Sequence, residues 1–195
     1  MDKRLEKQLN FILEIDKEKN IFRQTHLSQN GRNENDSEHS WHMAIMAYIL
    51  KEYSNQKIDI SKVMIMCLIH DIVEIYAGDT YAYDKEALKT QKKREELAKN
   101  KIYSLLPEDQ KCEFIKIFDE FEENITAEAN FANAMDNLQP VLLNNSNNGM
   151  DWKTHNVKSE DIYHRQEKGK NASKVLYDVI DDIIQKNIKD GNIKS

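Results

Sequence analysis

Only 2 prolines and 5 glycines occur among the 195 residues. Tight turns draw on both residue types, so a fold of many short strands is disfavoured and long helices joined by polar loops are expected. Cysteine is also scarce. Cys67 and Cys112 lie far apart, and Cys67 sits in the apolar run Val63-Met64-Ile65-Met66-Cys67-Leu68-Ile69. No disulfide framework is implied; a buried free thiol and a reducing compartment are expected. No apolar run reaches the length of a membrane span, and the start Met1-Asp2-Lys3-Arg4-Leu5-Glu6 lacks a signal-peptide core. The expectation is a cytoplasmic protein without a membrane partner. Positive charge is not in excess either. The formal net charge of -6 argues against a polybasic anchor or a nucleic-acid partner. A small anionic substrate stays open, because a metal supplies positive charge locally.

What is present suits one domain of ordinary size, with 39% hydrophobic and 32% charged residues. Apolar spacing predicts a helix over 3–15, through Leu5, Leu9, Ile12 and Leu13. Residues 20–35 break that period with Asn20, Asn30, Gly31, Asn33 and Asn35, and read as a loop with a short helix. Asp36 and Ser37 are N-cap candidates for a helix reaching about Tyr53. A third helix, from Asp59 or Ser61 through Ile75, is apolar nearly all round and therefore expected at the centre. Further helices are expected over 85–104, with its charges as a solvated face, over 107–122, from Thr126 past Leu142, and over 170–188. The Asn-rich stretch 144–149 reads as a loop and the tail after Lys189 as frayed. Trp41 reads as a core anchor and Trp152 as a packing residue, while His26, His155 and His164 carry no motif.

The chemistry concentrates in four stretches: Ser37-Glu38-His39-Ser40-Trp41-His42, His70-Asp71-Ile72-Val73-Glu74, Ala77-Gly78-Asp79-Thr80 and Ala134-Met135-Asp136-Asn137. His70-Asp71 falls near the end of an apolar helix, where an ionised carboxylate is costly unless paired or bound to metal. Glu74 follows one turn on, and Asp136 interrupts a second apolar helix. One buried acid is explained by a cap or a salt bridge. Two acids and a histidine at apolar positions call for a common partner, and a divalent cation meets that need. A shell of two imidazoles and two carboxylates suits Mn, Fe, Co, Ni or Zn, with Mg weaker because it prefers oxygen. By residue type and spacing alone, a metal centre and ordinary ion pairing both remain open.

The order His…His-Asp…Asp on successive helices resembles the HD superfamily of metal-dependent phosphohydrolases. The words around Glu34–His42, Leu68–Thr80 and Ala134–Pro140 are similar to the branch that holds bacterial 5′-deoxynucleotidases and the eukaryotic HD-domain-containing protein 2. The resemblance runs from about residue 19 to 145. It implies an all-α helical bundle, a single HD domain over 1–195 with a helical C-terminal extension, and His39, His70, Asp71 and Asp136 as ligands of a divalent metal. It also implies Glu74 as the acid that orients or activates water, and Asp79 as an acid touching the substrate. Arg23 is the only cation in Ile21-Phe22-Arg23-Gln24-Thr25 and corresponds to an arginine that grips phosphate, whereas Gln24 replaces the tryptophan that follows it in the deoxynucleotidases. The implied activity is release of phosphate from (deoxy)nucleoside 5′-monophosphates. Alternatives within and beyond the superfamily are a phosphodiesterase, a nucleotide or alarmone hydrolase, and a non-catalytic nucleotide-binding module. The resemblance further implies a homodimer, for which the apolar C-terminal helix offers a face.

Overall fold

A computed structural model describes residues 2–167 and 169–195. Its helices are α1 (Lys3–Ile15), α2 (Asp36–Leu50), α3 (Ile60–Ile69), α4 (Glu74–Ala77), α5 (Lys85–Tyr103), α6 (Glu108–Glu123), α7 (Ala127–Ser146), α8 (Met150–Thr154), α9 (Ser159–Gln166), α10 (Gly169–Ala172) and α11 (Lys174–Lys189). The fold is all-α apart from one small hairpin, as expected. Strands β1 (Phe22–His26) and β2 (Asn33–Asn35) pair antiparallel where a loop was expected. Their polar sequences carry no strand period, and Gln29 and Asn30 turn the chain with positive φ.

The α2 helix begins with a capping box in which Asn35 and Glu38 bond each other's backbone N–H groups. Asp36, read as a cap from sequence, is therefore released from that duty and is fully buried. Asp59 caps α3. The helix expected to continue through Ile75 instead breaks over residues 70–73, where Ile72 N–H reaches Ile69 O (3.3 Å) and Glu74 N–H reaches Asp71 O (2.8 Å). A regular helix splays adjacent side chains by about 100°. The tight turn brings the side chains of His70 and Asp71 together, 3.1 Å apart.

Two apolar clusters hold the helices. The larger joins α2, α3 and α7 to α11, and the smaller joins α1 and residues 69–73 to α5 and α6. The α7 helix runs through Pro140 and through Asn144–Ser146, so the first part of the expected Asn-rich loop is its last turn. Asn144 earns this place by donating to Pro140 O (3.1 Å) and accepting from Trp152 N–H (3.3 Å). The tail is not frayed: Ile193 is buried, and Lys194 N–H bonds Val157 O at 3.1 Å. The charged α5 is not wholly a solvated face, because buried Lys99 holds Asp119 at 2.7 Å and Glu96 at 2.6 Å. Trp41 is no core anchor; it is 62% exposed on α2.

Glu18 sits buried on the turn Asp16–Asn20. One oxygen accepts from the Ser37 hydroxyl (2.9 Å) and the other has no partner. Burial pushes its carboxyl up to about 7, against the Ser37 hydrogen bond and with help from the Asp71 charge. A carboxyl raised on folding leaves stability intact below its unfolded value and withdraws it as pH rises through about 7. Glu18→Gln is expected to raise Tm by roughly 5–10 °C at pH 8, up to about 3 kcal/mol, and to change it little at pH 4. Thermal unfolding at both pH values checks this; equal shifts at both would reject the electrostatic account.

Candidate metal centre and its cleft

The expected ligands arrive from three places: His39 on the second turn of α2, His70 and Asp71 at the break after α3, and Asp136 in the middle of α7. His39, His70 and Asp136 each offer one donor atom, all within 4.8 Å of one another. His39 Nε2 lies 3.1 Å from Asp136 Oδ1, and His70 Nε2 lies 4.0 Å from it. Asp71 joins through His70 Nε2, 3.1 Å from its Oδ2. The four residues expected as ligands thus converge on one spot.

Each imidazole has an oxygen acceptor behind its Nδ1, hydrogen-bonded in His70 and facing but not bonded in His39. His70 Nδ1 donates to Cys67 O at 2.9 Å, which leaves Nε2 facing the acids. His39 Nδ1 faces Glu34 Oε2 at 3.6 Å, both groups fully buried, while Gln139 donates to Glu34 Oε1 at 2.6 Å. A carboxylate or carbonyl behind the far ring nitrogen is the usual support of a metal-binding histidine. Glu34 was not singled out by sequence reasoning, although it lies five residues before His39. Pro140 has no N–H to give the carbonyl four residues back, so the backbone around Asp136 is relieved of one helical bond.

A second acidic set adjoins the first. Asp36, Glu74 and Asp79 each offer an oxygen within 4.8 Å of the others. Both oxygens of Asp36 and one of Glu74 are buried without a hydrogen-bond partner. Burial, followed by repulsion from Asp71, pushes Asp36 up to about 7, and the same causes with Asp36 added raise Glu74 well above the carboxylate range. Asp79 is raised mainly by burial. The Asp79 loop is fixed by Gly78, whose φ of +77° ends α4, and by Arg94, which donates to Ala77 O and to Thr80 Oγ1. Asp36 was missed because its position beside a cap has an ordinary explanation; the Asn35-x-x-Glu38 capping box was the signal that Asp36 was free for other work.

Arg23 bridges the two sets. Its Nη1 is 2.6 Å from Asp71 Oδ2 and 3.6 Å from Asp36 Oδ1, and its Nη2 is 4.0 Å from Asp136 Oδ1. Burial would raise Asp71 and Asp136, but charge outweighs it. His70 and Arg23 hold Asp71 well below the carboxylate range, and the His39 hydrogen bond and Arg165 do so for Asp136. The donor set fits a divalent cation: two backed imidazoles, carboxylates kept ionised, and a buried, unbonded His70 Nε2 aimed among them.

The centre opens into a cleft of ≈ 360 Å³ lined by Asp71, Glu74, Asp79, Tyr81, Asp136 and Arg165, among others. Arg165, from α9, donates from Nε to Asn137 Oδ1 (3.1 Å) and places Nη2 3.6 Å from Asp136 Oδ2. It too was missed, since no motif marks it. His26 clamps Asp151 (2.6 Å) and ties β1 to α8, and among the described residues His42 makes its side-chain hydrogen bond to Gln139, at 3.3 Å.

A family model described as HD domain matches residues 15–176. This chain belongs to the HD-domain family. A crystal structure described as a predicted metal-dependent phosphohydrolase from Magnetospirillum magnetotacticum MS-1 is 40% identical, with a TM-score of 0.95 over 100% of this chain and 97% of that one. The human 5′-deoxynucleotidase HDDC2 is 32% identical over 111 residues, 57% of this chain and 53% of that protein. The 5′-deoxynucleotidase YfbR of an Escherichia coli O127:H6 strain is 29% identical over 122 residues, 58% of this chain and 61% of that protein. The chain spans about half the length of the curated HDDC2 relatives it matches. This HD domain carries the full His39…His70-Asp71…Asp136 order inside the matched region.

Proposed function

We propose that this HD-domain chain is a metal-dependent phosphohydrolase that removes phosphate from (deoxy)nucleoside 5′-monophosphates. The observation that carries the proposal is the convergence of His39, His70, Asp71 and Asp136 at a cleft with Glu74 beside them. These four would hold Mn, Co, Fe, Zn or Mg. When bound, such an ion neutralises phosphate charge and lowers the pKa of water. The chain's own residues then divide the work. Glu74, buried and raised, takes the proton of the attacking water and orients it. Arg23 holds phosphate oxygens with the planar fork it now turns toward Asp71. Asp79, at the cleft wall, accepts a hydrogen bond from a sugar hydroxyl. A cleft of ≈ 360 Å³ is of the size that takes a nucleotide.

The test is inorganic phosphate release from ribo- and deoxynucleoside monophosphates, with protein stripped and reloaded with Mn, Co, Mg or Zn. Metal-dependent release supports the proposal. Products other than inorganic phosphate would move the reading to a diesterase or nucleotide hydrolase. No turnover with ion bound would move it to a binding module.

The same proposal includes one HD domain over 1–195 with a helical extension, a cytoplasmic location and a homodimer. No helix among the described residues is long and apolar enough to cross a membrane. For the dimer, two faces offer support. Leu176, Ile180 and Ile184 of α11 are buried in the core but Val175 and Val179 stay exposed, and Trp41, Ile45, Tyr48 and Ile49 of α2 form a longer exposed stripe at helical spacing. Light scattering should give twice 22.9 kDa, falling to the monomer mass in Ile49→Glu; a monomeric wild type would reject the dimer.

A further inference from the structure

Of the Tyr and Trp rings that line the cleft among the described residues, one is not used by the core. Trp152 is buried in the main apolar cluster and Tyr83 packs against it, but Tyr81 belongs to neither cluster. Tyr81 lines the cleft directly beyond Asp79 and Thr80 and is only half-buried. Its ring is braced by other rings: Tyr83 meets it edge-on at 5.3 Å, and His155 lies 4.6 Å away. His155 does not line the cleft, so it supports Tyr81 from outside. The loop that carries Tyr81 is anchored by Arg94 on Thr80 Oγ1 at 2.6 Å and by Asp84, which caps α5. A tyrosine ring fixed by its neighbours in the cleft wall, two residues from a proposed sugar contact, offers a platform for a flat ligand group.

We infer that Tyr81 is the residue on which the nucleobase of the substrate stacks. The inference rests on the nucleotide reading above and names the residue that reads the base. Every base has a π-face, so a single ring tolerates different bases, and selectivity among them falls to the neighbouring polar groups. Arg165 is one such group, for only its Nε is engaged in a hydrogen bond among the described residues.

The experiment compares deoxyadenosine 5′-monophosphate with deoxyribose 5-phosphate, which lacks the base, in wild type, Tyr81→Ala and Tyr81→Phe. The ratio of kcat/KM between the two substrates should fall about tenfold in Tyr81→Ala, the size of one lost base–aromatic stack. Tyr81→Phe should keep the ratio within about twofold, because the ring and not the hydroxyl carries the effect. An unchanged ratio in Tyr81→Ala, or an equal fall in Tyr81→Phe, overturns the inference. If wild type hydrolyses neither compound, the phosphohydrolase reading fails, and equilibrium binding of deoxyadenosine 5′-monophosphate decides separately. About tenfold weaker binding to Tyr81→Ala upholds the platform, and equal or undetectable binding to both proteins removes it.

Discussion

Asp71→Ala should lose bound metal and, with it, about 10³-fold in phosphate release, equivalent to about 4 kcal/mol of barrier. Asp71 lies 3.1 Å from His70 Nε2 and 2.6 Å from Arg23, so one carboxylate serves both the candidate metal centre and the candidate phosphate grip. Its removal leaves three donors where four converged, and leaves Arg23 with Asp36 and Asp136 at 3.6 and 4.0 Å. The loss should be visible without any substrate: metal per chain, measured by elemental analysis after dialysis, should drop from about one to near zero. The fold should survive in the metal-free state, because Asp71 is itself one of the charges that repel Asp36 and Glu74. A variant that keeps its metal and its turnover would remove Asp71 from the ligand set. A variant that merely unfolds would be recognised by circular dichroism, and Asp71→Asn, which keeps the side-chain shape, would then take its place.

Glu74→Gln should separate chemistry from metal binding. The side chain is buried beside Asp36 and Asp79 rather than among the imidazoles. The amide preserves shape but accepts no proton. A loss of about 10²–10⁴-fold in kcat is expected, with the metal content of the protein unchanged and KM moving little. The pH profile adds a second readout. Burial, then the charges of Asp71 and Asp36, raise the Glu74 carboxyl, so it must shed its proton above the ordinary carboxylate range before it can act as a base. The wild-type rate should therefore rise with pH through that titration, and this limb should be missing in Glu74→Gln. A variant with wild-type kcat would show that Glu74 does no proton work. One that loses metal in parallel with activity would make it a ligand instead.

The contrast between Asp36 and Asp71 shows where the sequence stops being informative. Both are acids near helix ends. Asp71 was legible because it follows a histidine inside an apolar run, where only a strong partner makes a carboxylate tolerable. Asp36 sits beside a capping box, and whether it or Asn35 caps α2 depends on backbone geometry that one-dimensional spacing does not carry. Arg165 lies 29 residues beyond Asp136 and faces it only because α9 folds back along α7. Trp41 reads as core by its chemistry, yet the face of α2 that carries it is turned outward.

By itself the sequence determined the helical class, most helix positions and the convergence-ready order His39, His70-Asp71, Asp136. Periodicity and capping are local effects, and a motif of chemically costly residues keeps its meaning wherever it lies. Only the tertiary structure decided the break after α3 that turns His70 and Asp71 together, the polar hairpin that delivers Arg23, and the approach of Glu34, Asp36, Tyr81 and Arg165 to the site. Those placements arise from packing between elements far apart in the chain, where a side chain's neighbours are set by the summed burial of whole helices and not by the residues beside it.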